Sequence, residues 1–177
     1  MHTVLCKPLA VGLVLIAASK VAAHPCDGAA AAAQSRPSSG TPCWAAAAKR
    51  YGVPENLLRA IAHVESRFTA HAVRAPYAAG NRDGSCDFGM LQINSAWLPT
   101  LARAGISRDD LFDSCTNIQV GAWILSGLIR HHGMTWEAVG AYNAGCARLT
   151  AERCSSLRAR YAWRVHDALA TLRREHP

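Results

Sequence analysis

One glutamate sits on the apolar side of its own helix. In residues 57–68, LLRAIAHVESRF, the positions Leu57, Leu58, Ile61, Val64 and Phe68 recur at helical spacing. Glu65 follows Ile61 by four residues and Leu58 by seven, so it shares their face. Carboxylates ordinarily face water. A carboxylate held among apolar neighbours is poorly solvated when ionised, so its pKa rises and it can keep its proton near neutral pH. A glutamate in that state is suited to act as general acid on a glycosidic oxygen. The competing reading places Glu65 at the helix edge, paired with Arg59 or Arg67, and the helix alone leaves both open.

Two further stretches follow ESRF: DFGMLQIN at 87–94 and AYNAG at 141–145. In this order the three resemble the transglycosylase SLT domain, family 1 of the lytic transglycosylases, over about residues 41–165. The CW start, LFDSCTNIQVGAWIL and WEAVGAYNAG resemble the small exported enzymes of type III and type IV secretion systems.

The resemblance implies a peptidoglycan-cleaving enzyme; the reading from another class is a weakly active wall-binding subunit of a secretion system that keeps the fold. Glu65 would protonate the oxygen between N-acetylmuramic acid and N-acetylglucosamine. It would then act as base on the muramic acid O6 hydroxyl, which closes a 1,6-anhydro ring without water. The N-acetyl group can assist, so a second protein carboxylate is not required. Ser66 matches the hydroxyl residue that orients the acid. Met90, Leu91 and Gln92 match a cleft-lining G-L-M-Q stretch with Leu and Met exchanged, and Gln92 would offer its amide to N-acetyl groups. Tyr142 and Asn143 match the pair closing the other cleft wall. For Met90 and Leu91, plain core packing stands equally beside sugar contact. No cofactor is implied.

NRDGSCDFGMLQINSAW also resembles chicken-type lysozymes, in which the Asp before the aromatic-Gly is the second catalytic carboxylate. Asp87 occupies that place. It would either act as nucleophile or stabiliser in a hydrolysis, with the carboxylates about 5 Å apart, or simply order its turn. DFG lacks the other kinase motifs. His131 and His132 suit a helix C-terminus better than a metal. Trp44, Trp123, Trp136 and Trp163 are expected in the core, and Trp97 is the candidate for sugar stacking.

The elements that must position these residues are mostly helical. CWAAAAKRY reads as a helix ending at Gly52, and Pro54 opens the helix of Glu65. Residues 74–94 are rich in Gly, Asn and Asp, which predicts turns and short strands. SAWLPTLARAG, CTNIQVGAWILSGLIRHHG, TWEAVGAYNAG and about 155–174 read as helices, with GAWILSGLI buried at the centre. The expected fold is α+β and lysozyme-like, mainly helical, with a small β-turn lobe beside the cleft.

The chain has 177 residues, enough for one ordinary domain. Lys7, the apolar run LAVGLVLIAA and the small-residue VAA predict a cleaved Sec signal over 1–23. Ten apolar residues are too few to span a bilayer, which takes about 20. Residues 24–40 read as a flexible Ala/Ser/Pro tether that Cys26 could tie down, and 41–177 as the catalytic domain. The expected location is the periplasm, at the cell wall, without stable membrane insertion.

Six cysteines remain after the signal: Cys26, Cys43, Cys86, Cys115, Cys146 and Cys154. An even set in an exported chain predicts disulfides; no C-x-x-C pair favours zinc. The resemblance suggests Cys43 with Cys115. Cys86 and Cys146 adjoin two cleft motifs and could staple the cleft walls.

Loss of Lys7 and Lys20 with the signal takes the net charge from +7 to +5. A basic exported protein suits an anionic wall, while scattered arginines without a basic-aromatic run argue against nucleic acid. The expected partners are peptidoglycan strands and components of a type III or type IV apparatus.

Overall fold

A computed structural model describes residues 24–35, 42–77, 84–147 and 149–175. The expected signal, and 36–40 of the expected tether, lie outside the described residues. Seven helices are described: α1 (Ala29–Ser35), α2 (Trp44–Tyr51), α3 (Glu55–Ser66), α4 (Leu98–Ala102), α5 (Ser114–His132), α6 (Trp136–Asn143) and α7 (Ala151–Glu175). Three two-residue strands, β1 (Val73–Arg74), β2 (Asp87–Phe88) and β3 (Ile93–Asn94), form an antiparallel sheet in sequence order. This is the α+β arrangement expected from the sequence. No helix among the described residues is long and apolar enough to cross a membrane.

α5 runs through the centre, with Ile118, Val120, Ala122 and Leu125 buried. Its first turn is capped by Asp113, whose carboxylate accepts from the Thr116 N–H at 2.8 Å. α2 ends where Gly52 takes a left-handed conformation, φ 64°, with its N–H returned to the Ala48 carbonyl. α3 packs Leu57, Leu58, Ala60 and Ile61 inward. α6 lies against α7 at close range because Gly140 has no side chain. A Cβ there would stand 2.6 Å from the Arg158 Cβ and 2.7 Å from its carbonyl oxygen.

Residues 24–35 do not hang free as a tether. Ala29 and Ala33, one turn apart, are buried, and α1 packs beside the 3₁₀ turn Asp109–Phe112. Arg108 donates to the Asp27 carbonyl at 2.6 Å, and Cys26 is bonded to Cys86. The other disulfides are Cys43–Cys115, as suggested, and Cys146–Cys154. Cys86 and Cys146 therefore do not staple the cleft walls to each other. Cys86 pins the N-terminal segment to the β lobe, and Cys146 closes a short loop before α7.

Trp44 is in the core, as expected, but Trp136 and Trp163 are 46% and 66% exposed. Buried Ala162, Val165 and Ala168 fix the inward face of α7, and Trp163 falls outside it.

Candidate active site

The site is built where the end of α3 meets the sheet and α7. Cross-strand register pairs Arg74 with Asp87 and Asp87 with Asn94, so the three side chains form one row. The alternate row contains Phe88 and Ile93, both fully buried in the core. Two-residue strands suffice because each contributes one residue to each row.

Arg74 bridges the two acids. Its Nη2 lies 3.4 Å from Glu65 Oε2, and its Nη1 donates to Asp87 Oδ2 at 3.1 Å. Both carboxylates are almost closed to water, with 6% and 7% side-chain exposure. The second Asp87 oxygen accepts from Asn94 Nδ2 at 2.7 Å. Asp87 therefore reaches the same site as Glu65, and it also ties its own turn together.

The opposite oxygen of Glu65 is held by Tyr161, whose hydroxyl donates to Oε1 at 2.6 Å. Burial raises the Glu65 pKa, and it outweighs the Tyr161 hydrogen bond and the Arg74 charge, which both lower it. The Asp87 charge adds a smaller upward push. The Tyr161 hydroxyl is itself held well above its usual pKa, first by burial and then by the Glu65 charge. It stays a proton donor in its bond to the carboxylate. Arg164 stacks its guanidinium 5.3 Å from the Tyr161 ring centre.

The remaining sequence candidates separate into two groups. Tyr142 donates to the Leu91 carbonyl at 3.0 Å, and its pKa is pushed well up by burial, then by Glu65 and Asp87. It thus lies in the same field as the two acids, at the end of α6. Ser66 donates to the Met90 carbonyl at 2.7 Å, which fastens the end of α3 to the loop after β2. Leu91 is fully buried and Met90 nearly so, which is core packing for both. Both amide hydrogens of Gln92 are engaged by the Ala72 and Gly89 carbonyls at 3.2 and 2.8 Å, so its donors are turned inward. Asn143 ends α6 and is exposed. Trp97 is 37% exposed and meets Trp123 edge-on at 5.2 Å.

Three positioning residues escaped the sequence reading: Tyr161, Arg74 and Asn117. Asn117 on α5 is 1% exposed, donates to the Phe88 and Leu111 carbonyls at 2.9 and 2.8 Å, and accepts from the Leu91 N–H at 2.7 Å. Its amide thus ties the end of β2 and the turn after it to the 3₁₀ turn Asp109–Phe112. Gly89, at φ 73°, is required there because a Cβ would clash with the Asn117 amide and the Leu111 carbonyl. A lone Asn in the apolar run NIQVGAWIL was the available signal.

A buried acid with a raised pKa, a phenol donating to it and a second carboxylate across an arginine form an arrangement chemically suited to acid-assisted cleavage of a glycosidic bond. Residues 42–159 match the model of the Transglycosylase SLT domain, and the chain belongs to that family. It is a lytic transglycosylase. Over 126 residues it is 42% identical to the Invasion protein IagB of Salmonella typhi, covering 71% of this chain and 73% of that protein. It is 40% identical over 104 residues to Protein IpgF of Shigella flexneri, covering 58% of this chain and 65% of that one. It is 38% identical over 108 residues to a Peptidoglycan-binding-like protein of Escherichia coli O157:H7, covering 59% and 65%.

Proposed function

We propose that the protein cleaves the β-1,4 bond between N-acetylmuramic acid and N-acetylglucosamine in peptidoglycan and leaves 1,6-anhydro-muramic acid ends. The observation that carries this reading is the state of Glu65: nearly closed to water, raised in pKa by that burial, and oriented through Oε1 by Tyr161. Protonated Glu65 gives its proton to the glycosidic oxygen as the bond breaks. The resulting carboxylate then takes the O6 proton as that oxygen closes on the anomeric carbon. Tyr161 and Arg74 favour this ionised intermediate state, while burial favours the protonated one. The residue is thereby balanced to travel in both directions.

Asp87 supports a second reading, hydrolysis with two carboxylates, because the arginine bridge brings it to the site. Its two oxygens are held by Arg74 and Asn94, an arrangement that suits a fixed negative charge beside an oxocarbenium-like centre better than a free nucleophile.

An exported chain with three disulfides fits the oxidising periplasm. Its likeness to an invasion protein supports a task of opening the wall locally for a type III or type IV secretion apparatus.

The test uses the oxidised chain from His24 on purified peptidoglycan, beside Glu65→Gln and Asp87→Asn. Released muropeptides are read by mass spectrometry before and after borohydride reduction. Non-reducible anhydro ends that vanish with Glu65→Gln are expected. Reducible ends, lost also with Asp87→Asn, would establish hydrolysis instead.

A further inference from the structure

The face of α7 turned away from Glu65 carries an aromatic groove that the cleavage site does not use. Tyr161 and Trp163 are two residues apart, about 200° round the helix, so Trp163 points away from the acid that Tyr161 holds. Ala159, Ala162, Trp163 and His166 follow the i, i+3, i+4, i+7 spacing of a single stripe. With Trp136 and Glu137 of α6 they line a pocket of about 320 Å³. The His166 imidazole stands between two indoles, its ring centre 5.5 Å from that of Trp136 and 5.4 Å from that of Trp163, both edge-on. Trp136 is also a wall of a second pocket, about 430 Å³, which continues past Thr135 to Asn56 and Arg173.

Two pockets in a row divided by an indole suit a linear ligand with repeating rings. Exposed indoles offer apolar faces, and polar side chains stand at their edges: Glu137, paired with Arg158 at 2.6 Å, together with His166, Asn56 and Arg173. A pyranoside has this same division, with C–H faces above and below and hydroxyl and acetamido groups around its rim. The exposed Arg173, which lines the second pocket, adds positive charge that complements the carboxylates of wall stem peptides. An exposed aromatic patch of this kind marks a binding surface.

We propose that this groove binds a second glycan strand of peptidoglycan and holds the enzyme on the wall while the cleft works on a neighbouring strand. The proposal rests on the wall as substrate, but not on the bond cleaved or the product formed. A second contact on the same mesh raises the local concentration of strands at the cleft.

The test compares Glu65→Gln with Glu65→Gln/Trp136→Ala/Trp163→Ala, both oxidised, in co-sedimentation with intact sacculi and with glycan chains stripped of stem peptides. Half-saturation on both polymers is expected to weaken about tenfold in the triple variant. Trp136→Ala/Trp163→Ala with Glu65 intact should cleave a short soluble muropeptide oligomer at the wild-type rate and sacculi more slowly. The soluble reaction also shows that this variant is folded. Equal sedimentation of the two proteins overturns the proposal. So does weakened binding to sacculi with unchanged binding to stripped glycan, which would assign the groove to peptide. A change in solution mass with unchanged wall binding overturns it as well, in favour of a second copy of this chain. If the wild-type enzyme releases nothing while tryptophan-dependent sedimentation persists, the catalytic reading fails and the groove stands.

Discussion

Replacing Tyr161 by Phe removes one hydroxyl from a nearly sealed site and changes little else. That hydroxyl donates to Glu65 Oε1 at 2.6 Å, and the residue is 1% exposed, so no water replaces it without rearrangement. A hydrogen bond to a charged group contributes about 1.5–3 kcal/mol, and one between neutral groups about 0.5–1.5 kcal/mol. The cost of Tyr161→Phe should therefore grow by roughly 1 kcal/mol as Glu65 passes from acid to carboxylate. The sign follows from burial. Glu65 has a raised pKa in the folded protein, so its contribution favours folding most below the ordinary glutamate pKa. That contribution is lost as pH rises through the raised value. Removing the phenol takes away a term that opposed this loss, so the Phe variant should fall away from wild type on the alkaline side. Thermal unfolding of the oxidised proteins at about pH 4 and about pH 8 would show it, as an extra Tm decrease of about 2–4 °C at the higher pH. In the Glu65→Gln background the extra decrease should vanish, because residue 65 no longer ionises. An equal cost of Tyr161→Phe at both pH values would refute the argument, as would an extra cost that survives Glu65→Gln.

Arg74→Gln removes a charge that favours ionised Glu65, so the alkaline limb of the pH–rate profile should move to higher pH; a move to lower pH would assign Arg74 a different role. Gly140→Ala gains helix propensity of about 1 kcal/mol, but its methyl meets Arg158 backbone and should cost about 1–3 kcal/mol net, read by denaturant unfolding. Removal of Cys43–Cys115, with sequence separation 72, should cost about 4 kcal/mol on the loop-entropy model, against about 2.5 kcal/mol for Cys146–Cys154, with separation 8. The order of the two unfolding midpoints checks this directly.

Glu65 was legible because its neighbours repeat with the helical period, and that period needs no tertiary knowledge. Tyr161 was not, because its partner lies 96 residues away and a tyrosine on an amphipathic helix looks like ordinary core. Arg74 sits in a turn-rich stretch, and only the antiparallel register brings it opposite Asp87. The same register sets Asp87 between Arg74 and Asn94, and it is bonded to both. Trp136 and Trp163 misled in the other direction. Their apolar bulk argues for burial, but small Ala162 and Ala168 turn inward on α7 and leave the indole outside. The disulfide partners of Cys86 and Cys146 were beyond reach because spacing alone does not select among pairings.

The distance along the chain between Glu65 and Tyr161 also has a meaning in time. At about 5–20 residues per second, 96 residues of synthesis separate the two on the order of 5–20 seconds. Until α7 is made, the hydroxyl that holds the acid and the helix that shuts out water are both absent. Glu65 is then a solvated side chain of ordinary acidity. A chain halted before α7 carries the acid, the arginine and Asp87, yet lacks what makes them a cleavage site. The hazard of an enzyme that cuts the wall is thus deferred until α7 is in place.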